Sequence, residues 1–284
     1  MHSRIGYDGI KEMRAILVPL SETNGMPSML RCAAKVAGQF SSSVEGAYVR
    51  AEPSVILASD DTGATTPALI ESFEREDAAR AERLQAAFME ACKAEGVGGR
   101  AVVSDISGAG GGLGGYGRLF DLIVVGRPGR EADSPPMTTL EIVLFDTGRL
   151  LLIAPPNAPE TVGKNVMIAW NGSSETARTI ALSMPLLAQA EKVTVVTVDT
   201  GVVTGPDGGG VVTYLSRHGI NAERDDVTAG SRGAGEAMLD EAVKLGSDMM
   251  IKGGYTRSRL RQTIFGGPTS HILANATIPV IMAH

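Results

Sequence analysis

The chain has 284 residues, 43% of them hydrophobic and 20% charged, with a formal net charge of -6. That balance describes a globular protein of one large or two ordinary domains and excludes a disordered one. The acidic balance and the 4% aromatic content argue against a nucleic-acid surface, which needs a basic face and stacking rings.

Taken in chain order, residues 14–19 (RAILVP) predict a first strand, followed by Leu20, Ser21 and Glu22. Residues 27–40 predict an amphipathic helix and 44–49 a β-rich run. A long charged helix is expected over 67–95. Residues 107–117 (SGAGGGLGGYG) are glycine-dense and read as a flexible loop. The G-x-G-x-x-G spacing found there does not directly follow a convincing strand, so it is a weak dinucleotide signal. Residues 120–129 (FDLIVVGRPG) carry an apolar run, 137–146 a helix and 150–155 (LLLIAP) a strand. The prolines of 155–159 (PPNAP) make a linker.

The pattern then repeats. A strand at 165–169 leads into Trp170, Asn171, Gly172, Ser173, Ser174 and Glu175, with a helix over 175–190 and a strand over 193–198. Helices at 210–218 and 233–245 follow, then the apolar run of 247–254 (SDMMIKGG), a helix at 267–275 and a strand at 278–282. Two domains are therefore expected, at 13–156 and 160–284. Both are α/β, each a doubly wound open parallel sheet, because their strands are continuously apolar and alternate with helices. Ligands in such sheets sit beyond the carboxyl ends of the strands, where strand order reverses. Ser21, Asn171, Gly126 and Gly253 mark those ends.

The closing segment, 248–284, carries the sharpest functional signal. Its apolar run (Met249, Met250, Ile251) ends in Gly253 and Gly254. A basic, hydroxyl-rich stretch follows (Tyr255, Thr256, Arg257, Ser258, Arg259, Arg261), and Gly266–Gly267 opens the next helix. Glycines let backbone approach a phosphate, and helix-start N–H groups point at it. A tightly packed parallel α/β turn uses glycine in the same way, so the two readings compete here.

Other residues offer less. Cys32 and Cys92 lie in helical stretches and read as buried thiols, and His2, His218, His271 and His284 are too scattered for zinc. Asp225 and Asp226 read as a solvated turn rather than a metal site. Ser231 reads as a helix cap, with Arg232 beside it. Lys252 follows a strand but lacks the glycines of a P-loop. No nucleophile elbow or paired-carboxylate motif is present. No run reaches membrane-span length and the N-terminal MHSRIGYDGIKEM has no apolar signal core, so a cytoplasmic location is expected, with no membrane partner.

The two-fold pattern, IAWNGSSET and GGYTRSRLRQTIFGGPTSHIL together resemble the universal stress protein family in its tandem form, over nearly the whole chain after Glu12. The resemblance implies an adenine nucleotide alpha hydrolase-like fold. Nucleotide-binding members carry a glycine, two residues, a second glycine, nine residues and then Gly-Ser or Gly-Thr, with an aspartate after the first strand. Here the second half has Gly253, Thr256 at the second glycine position, Gly266 and Gly267, with Asn171 at the aspartate position. The first half has Gly126 and Gly129 but Thr139–Leu140 at the closing pair and Ser21 for the aspartate; Arg127 and Arg130 add charge there and Pro128 removes an N–H.

What the resemblance implies is a stress-response regulator binding ATP or a related adenine nucleotide, with magnesium as a candidate companion, chiefly in the second half. Gly253, Gly254, Thr256, Arg257, Ser258, Gly266, Gly267 and Thr269 would surround phosphates. Asn171 would meet the ribose, with Trp170 and Gly172 beside it. Trp170 also reads as sheet packing and His271 as a solvated histidine. Beside this stand a non-nucleotide interaction module of the same fold and, third, an adenylating or flavin-binding enzyme. Any hydrolysis by the regulator would be slow and incidental. The family's habit of pairing through the last strand implies that 150–153 and 278–282 pair within the chain as a pseudo-dimer, with further homodimerisation and protein partners left open.

Overall fold

A computed structural model describes residues 12–51, 66–107, 111–200, 204–254 and 267–284. The first half supplies strands β1 (Ala15–Pro19), β2 (Ser43–Arg50), β3 (Ala101–Ser107), β4 (Leu122–Gly126) and β5 (Leu150–Ala154). The second supplies β6 (Asn165–Trp170), β7 (Lys192–Val198), β8 (Glu223–Val227), β9 (Met249–Ile251) and β10 (Val280–Met282). They join into one ten-stranded sheet in the order β3-β2-β1-β4-β5-β10-β9-β6-β7-β8. Neighbours are parallel within each half. The halves meet antiparallel at β5–β10, with Val280 opposite Ile153, Ile281 opposite Leu152 and Met282 opposite Leu151. This is the pairing implied by the family resemblance.

Helices cover both faces. On one side lie α1 (Met26–Phe40), α2 (Pro67–Ala94), α5 (Ser174–Leu182), α6 (Met184–Gln189) and α7 (Gly208–Arg217), over a core that includes Cys32, Phe88, Trp170 and Leu187. On the other lie α3 (Gly112–Tyr116), α4 (Met137–Asp146), α8 (Ala234–Lys244) and α9 (Pro268–Asn275), over Leu113, Leu144, Met238 and Ile272. Covering both faces requires strands apolar on both, and β4 (LIVVG) and β5 (LLLIA) are buried along their whole length. Among the described residues no helix is long and apolar enough to cross a membrane.

One aspartate per half fixes the entry of its first strand. Asp121, before β4, accepts from the Arg14 and Ala15 amides at 2.7 and 3.0 Å. Asp248, before β9, accepts from Lys164 and Asn165 at 3.1 and 2.9 Å. The internal repeat thus extends to these hydrogen bonds.

Four expectations need correction. The glycine-dense stretch, expected as a loop with no convincing strand before it, directly follows β3 and contains a short helix, α3, whose Leu113 packs into the core. The single helix expected over 175–190 breaks at Ser183, where Pro185 at the start of α6 has no N–H to continue the ladder. Asp225 and Asp226 lie in the edge strand β8 rather than a turn. Ser231 does not cap α8: Gly233 holds the cap position with no side-chain bond, and Arg232 pairs instead with Asp240 at 2.6 Å.

Candidate functional site

Strand order reverses between β1 and β4 and again between β6 and β9, so each half has a crest at those carboxyl ends. In the first half the crest is filled by its own chain. A Cβ at Gly126 would lie 2.4 Å from Pro135 Cγ, and one at Gly25 would lie 2.7 Å from the same atom. The Asn24 amide donates to Asp133 O at 2.9 Å, tying the β4–α4 loop across the crest. The glycine at Gly126 therefore makes room for a proline of its own chain.

In the second half, β6 ends in Trp170, which is 5% exposed and donates its indole N–H to Pro206 O at 2.9 Å. The ring belongs to the core under α5–α7, the packing alternative to an adenine contact. Asn171 Oδ1 accepts from Ser173 N at 3.2 Å and from Thr176 Oγ1 at 2.8 Å. Gly172 turns the chain with φ +83°. Ser173 then caps α5, its Oγ accepting from Thr176 N at 3.2 Å. Asn171 is thus committed through its carbonyl to the helix start, and its amide is the part that remains for a ribose.

Gly253 presses on the same helix start: a Cβ there would sit 2.6 Å from Thr176 N. Gly254 donates its amide to Ala283 O at 3.0 Å, and a Cβ on it would meet that oxygen at 2.7 Å and Leu144 of the first half at 3.2 Å. Both glycines are required by protein packing. Gly267 precedes α9 with φ +99° and ψ 162°, a conformation that L side chains rarely adopt, which favours glycine there.

The structure brings Thr269 to the carboxyl end of β9. Its Oγ1 accepts from Lys252 Nζ at 2.6 Å, and Lys252 also donates to Gly253 O at 3.0 Å. Lys252 is 8% exposed, and burial pulls its ammonium down to about 8. This lysine was not assigned a role from the sequence. The signal was present: counting from Asp248 against Asp121, Lys252 occupies the place of buried Val125. His271 is exposed on α9. Thr256, Arg257, Ser258 and Gly266, with Tyr255, Arg259 and Arg261, lie outside the described residues.

Among the described residues no group of three metal-ligating side chains occurs. Cys32 and Cys92 are unpaired and buried, and burial pushes their thiols up to about 12 and about 11, so neither is a thiolate at neutral pH.

No protein-family model matches the chain, and no curated protein matches it. Solved structures do. A universal stress protein from Archaeoglobus fulgidus superposes with a TM-score of 0.69 over 95% of this chain and 97% of its own, at 13% identity. A candidate universal stress protein from Pseudomonas aeruginosa gives a TM-score of 0.53 over 96% and 94%, also at 13% identity. At such identity the likeness establishes the fold alone: over 95% of its length the chain shares the α/β architecture of the Archaeoglobus fulgidus universal stress protein.

Proposed function

We propose that this chain is a cytoplasmic tandem universal stress protein that binds ATP or a related adenine nucleotide in its second half and acts as a regulator rather than an enzyme. The observation that carries the reading is the corner at the end of β9. Lys252 and Thr269 meet there at 2.6 Å, at the point of strand-order reversal, where the first half has Val125 and a proline plug. A cation and a hydroxyl at that crest suit a phosphate. Asn171 offers its amide toward the ribose side, and Gly267 opens α9. Thr256, Arg257, Ser258 and Gly266 join the proposal on sequence alone, as does magnesium.

Calorimetric titration of nucleotide-stripped protein with ATP and magnesium tests this. Saturable binding at one site per chain is expected. Absence of both heat and thermal shift at millimolar ATP would overturn it.

A second reading is a protein-interaction module of the same fold without nucleotide. It draws on the packing of Gly253 against Thr176 and of Trp170 into the core, since both place protein where the family resemblance implies ligand. The same titration separates the two.

A further inference from the structure

Three charged side chains are buried among the described residues: Asp77, Glu241 and Lys252. Asp77 accepts from Tyr48 at 2.6 Å and pairs with Arg50 at 3.3 Å. Glu241 pairs with Lys244 at 2.7 Å. Lys252 differs, because its hydrogen-bond partners, Gly253 O and Thr269 Oγ1, are both neutral and no carboxylate of the described residues pairs with it. Removing an ammonium from water without a counter-charge is strongly unfavourable. The corresponding first-half residue, Val125, shows that the sheet packs well with an apolar side chain there. Packing therefore does not call for a lysine at this place, whereas a ligand that brings negative charge does.

The position fits that role. Lys252 follows β9 directly and reaches the first turn of α9, so its charge lies at the reversal of strand order. The elements around this corner carry Glu175 and Arg178 on α5, Glu236, Asp240, Glu241 and Lys244 on α8, His271 on α9 and His284 after β10. None of them contributes to its shift, which comes from burial alone.

We infer that Lys252 is a proton-switched anchor, which takes up a proton when a phosphate-bearing anion binds at the end of β9 and acts on it through charge and through the Thr269 hydroxyl. Thr269 Oγ1 accepts from Lys252, so its own hydrogen is left to point at the anion. The inference rests on the anion site proposed above and adds its proton linkage. In the empty protein the amine is largely neutral above about pH 8. A bound anion restores the ammonium, so affinity falls by about tenfold for each step of one in pH above 8, and each ligand takes up close to one proton there. At pH 6.5 the lysine is already charged and contributes no uptake.

The test is calorimetry with magnesium ATP and, separately, inorganic pyrophosphate, at pH 6.5 and 8.8 in buffers of different ionisation heat. Wild type, Lys252→Met and Lys252→Arg are compared. The expected result is uptake near one proton at pH 8.8 in wild type only, with weaker but uptake-free binding in Lys252→Met and pH-independent binding in Lys252→Arg. Binding of ATP with no uptake, or with the same uptake in Lys252→Met, overturns the inference and leaves the nucleotide reading intact. Proton-linked pyrophosphate binding without ATP binding keeps the inference and removes the nucleotide reading. Binding of neither anion at either pH overturns both.

Discussion

A buried amine such as Lys252 leaves a signature in stability as well as in binding. Its ordinary value is 10.5 and the folded value is about 8. A depressed folded value means that the contribution is fully present above 10.5 and is lost as pH falls through 8. In the ligand-free protein this amounts to roughly 3 kcal/mol. Lys252→Met, which keeps most of the length of the side chain and removes the charge, is therefore expected to stabilise the protein at pH 7 by up to that amount, with the gain shrinking toward pH 10. Urea unfolding at a series of pH values reads this directly; a gain that does not change with pH would mean that packing, not charge, is responsible. The strand-entry aspartates act in the opposite sense. Asp121 and Asp248 each hold two backbone amides, and Asp121→Ala or Asp248→Ala should each cost about 1.5–3 kcal/mol, because hydrogen bonds to a charged group are lost and amides are left unpaired. Equal losses in the two variants would show that the repeat is energetic as well as topological.

At the scale of elements, sequence and structure part company where polarity hides a strand. Strands β4, β5 and β9 were legible because both of their faces are buried and their residues are uniformly apolar. Strand β8 reads ERDDV and lies at the rim of the sheet, half solvated, so no apolar run announces it. Its charges suit an edge, where they oppose pairing with another chain. Of the candidate site, the strand-end glycines were legible in the sequence, but not what they pack against. The positions of Gly253 and Gly126 could be read, yet the proline beside one and the helix start beside the other are contacts between segments distant in sequence. A glycine in a string does not say what approaches it. Gly253→Ala is thus expected to force α5 away from β9 and to cost about 1–3 kcal/mol even without ligand. Gly38→Ala serves as the control: it sits exposed within α1 with nothing inside 4 Å of its added methyl, and should stabilise by about 0.5–1 kcal/mol. Thermal melts followed by circular dichroism compare them; a harmless Gly253→Ala would return that glycine to the ligand.

At the scale of the whole molecule, two five-stranded sheets become one through a short seam of three facing pairs between β5 and β10. An arginine that the first half carries alone reinforces it. Arg127 reaches across to donate to Ala274 O at 2.6 Å and Ala276 O at 3.2 Å, closing the carboxyl end of α9, where a cation suits both the free carbonyls and the helix dipole. Its counterpart by position is Gly254, which instead lets Leu144 of α4 approach. The pseudo-dimer is therefore asymmetric in chemistry at its own interface, with a polar strut on one side and an apolar contact on the other. Since Leu152 and Ile281 face each other across the seam and both are fully buried, truncating either to Ala should cost about 2–5 kcal/mol. Because they share a contact, the double variant should depart from the sum by about 0.5–3 kcal/mol. Denaturant unfolding of the two single variants and the double measures that coupling. A coupling of zero would mean that the halves do not pair through these strands in solution, and the continuous ten-stranded sheet would have to be given up in favour of two sheets that merely adjoin.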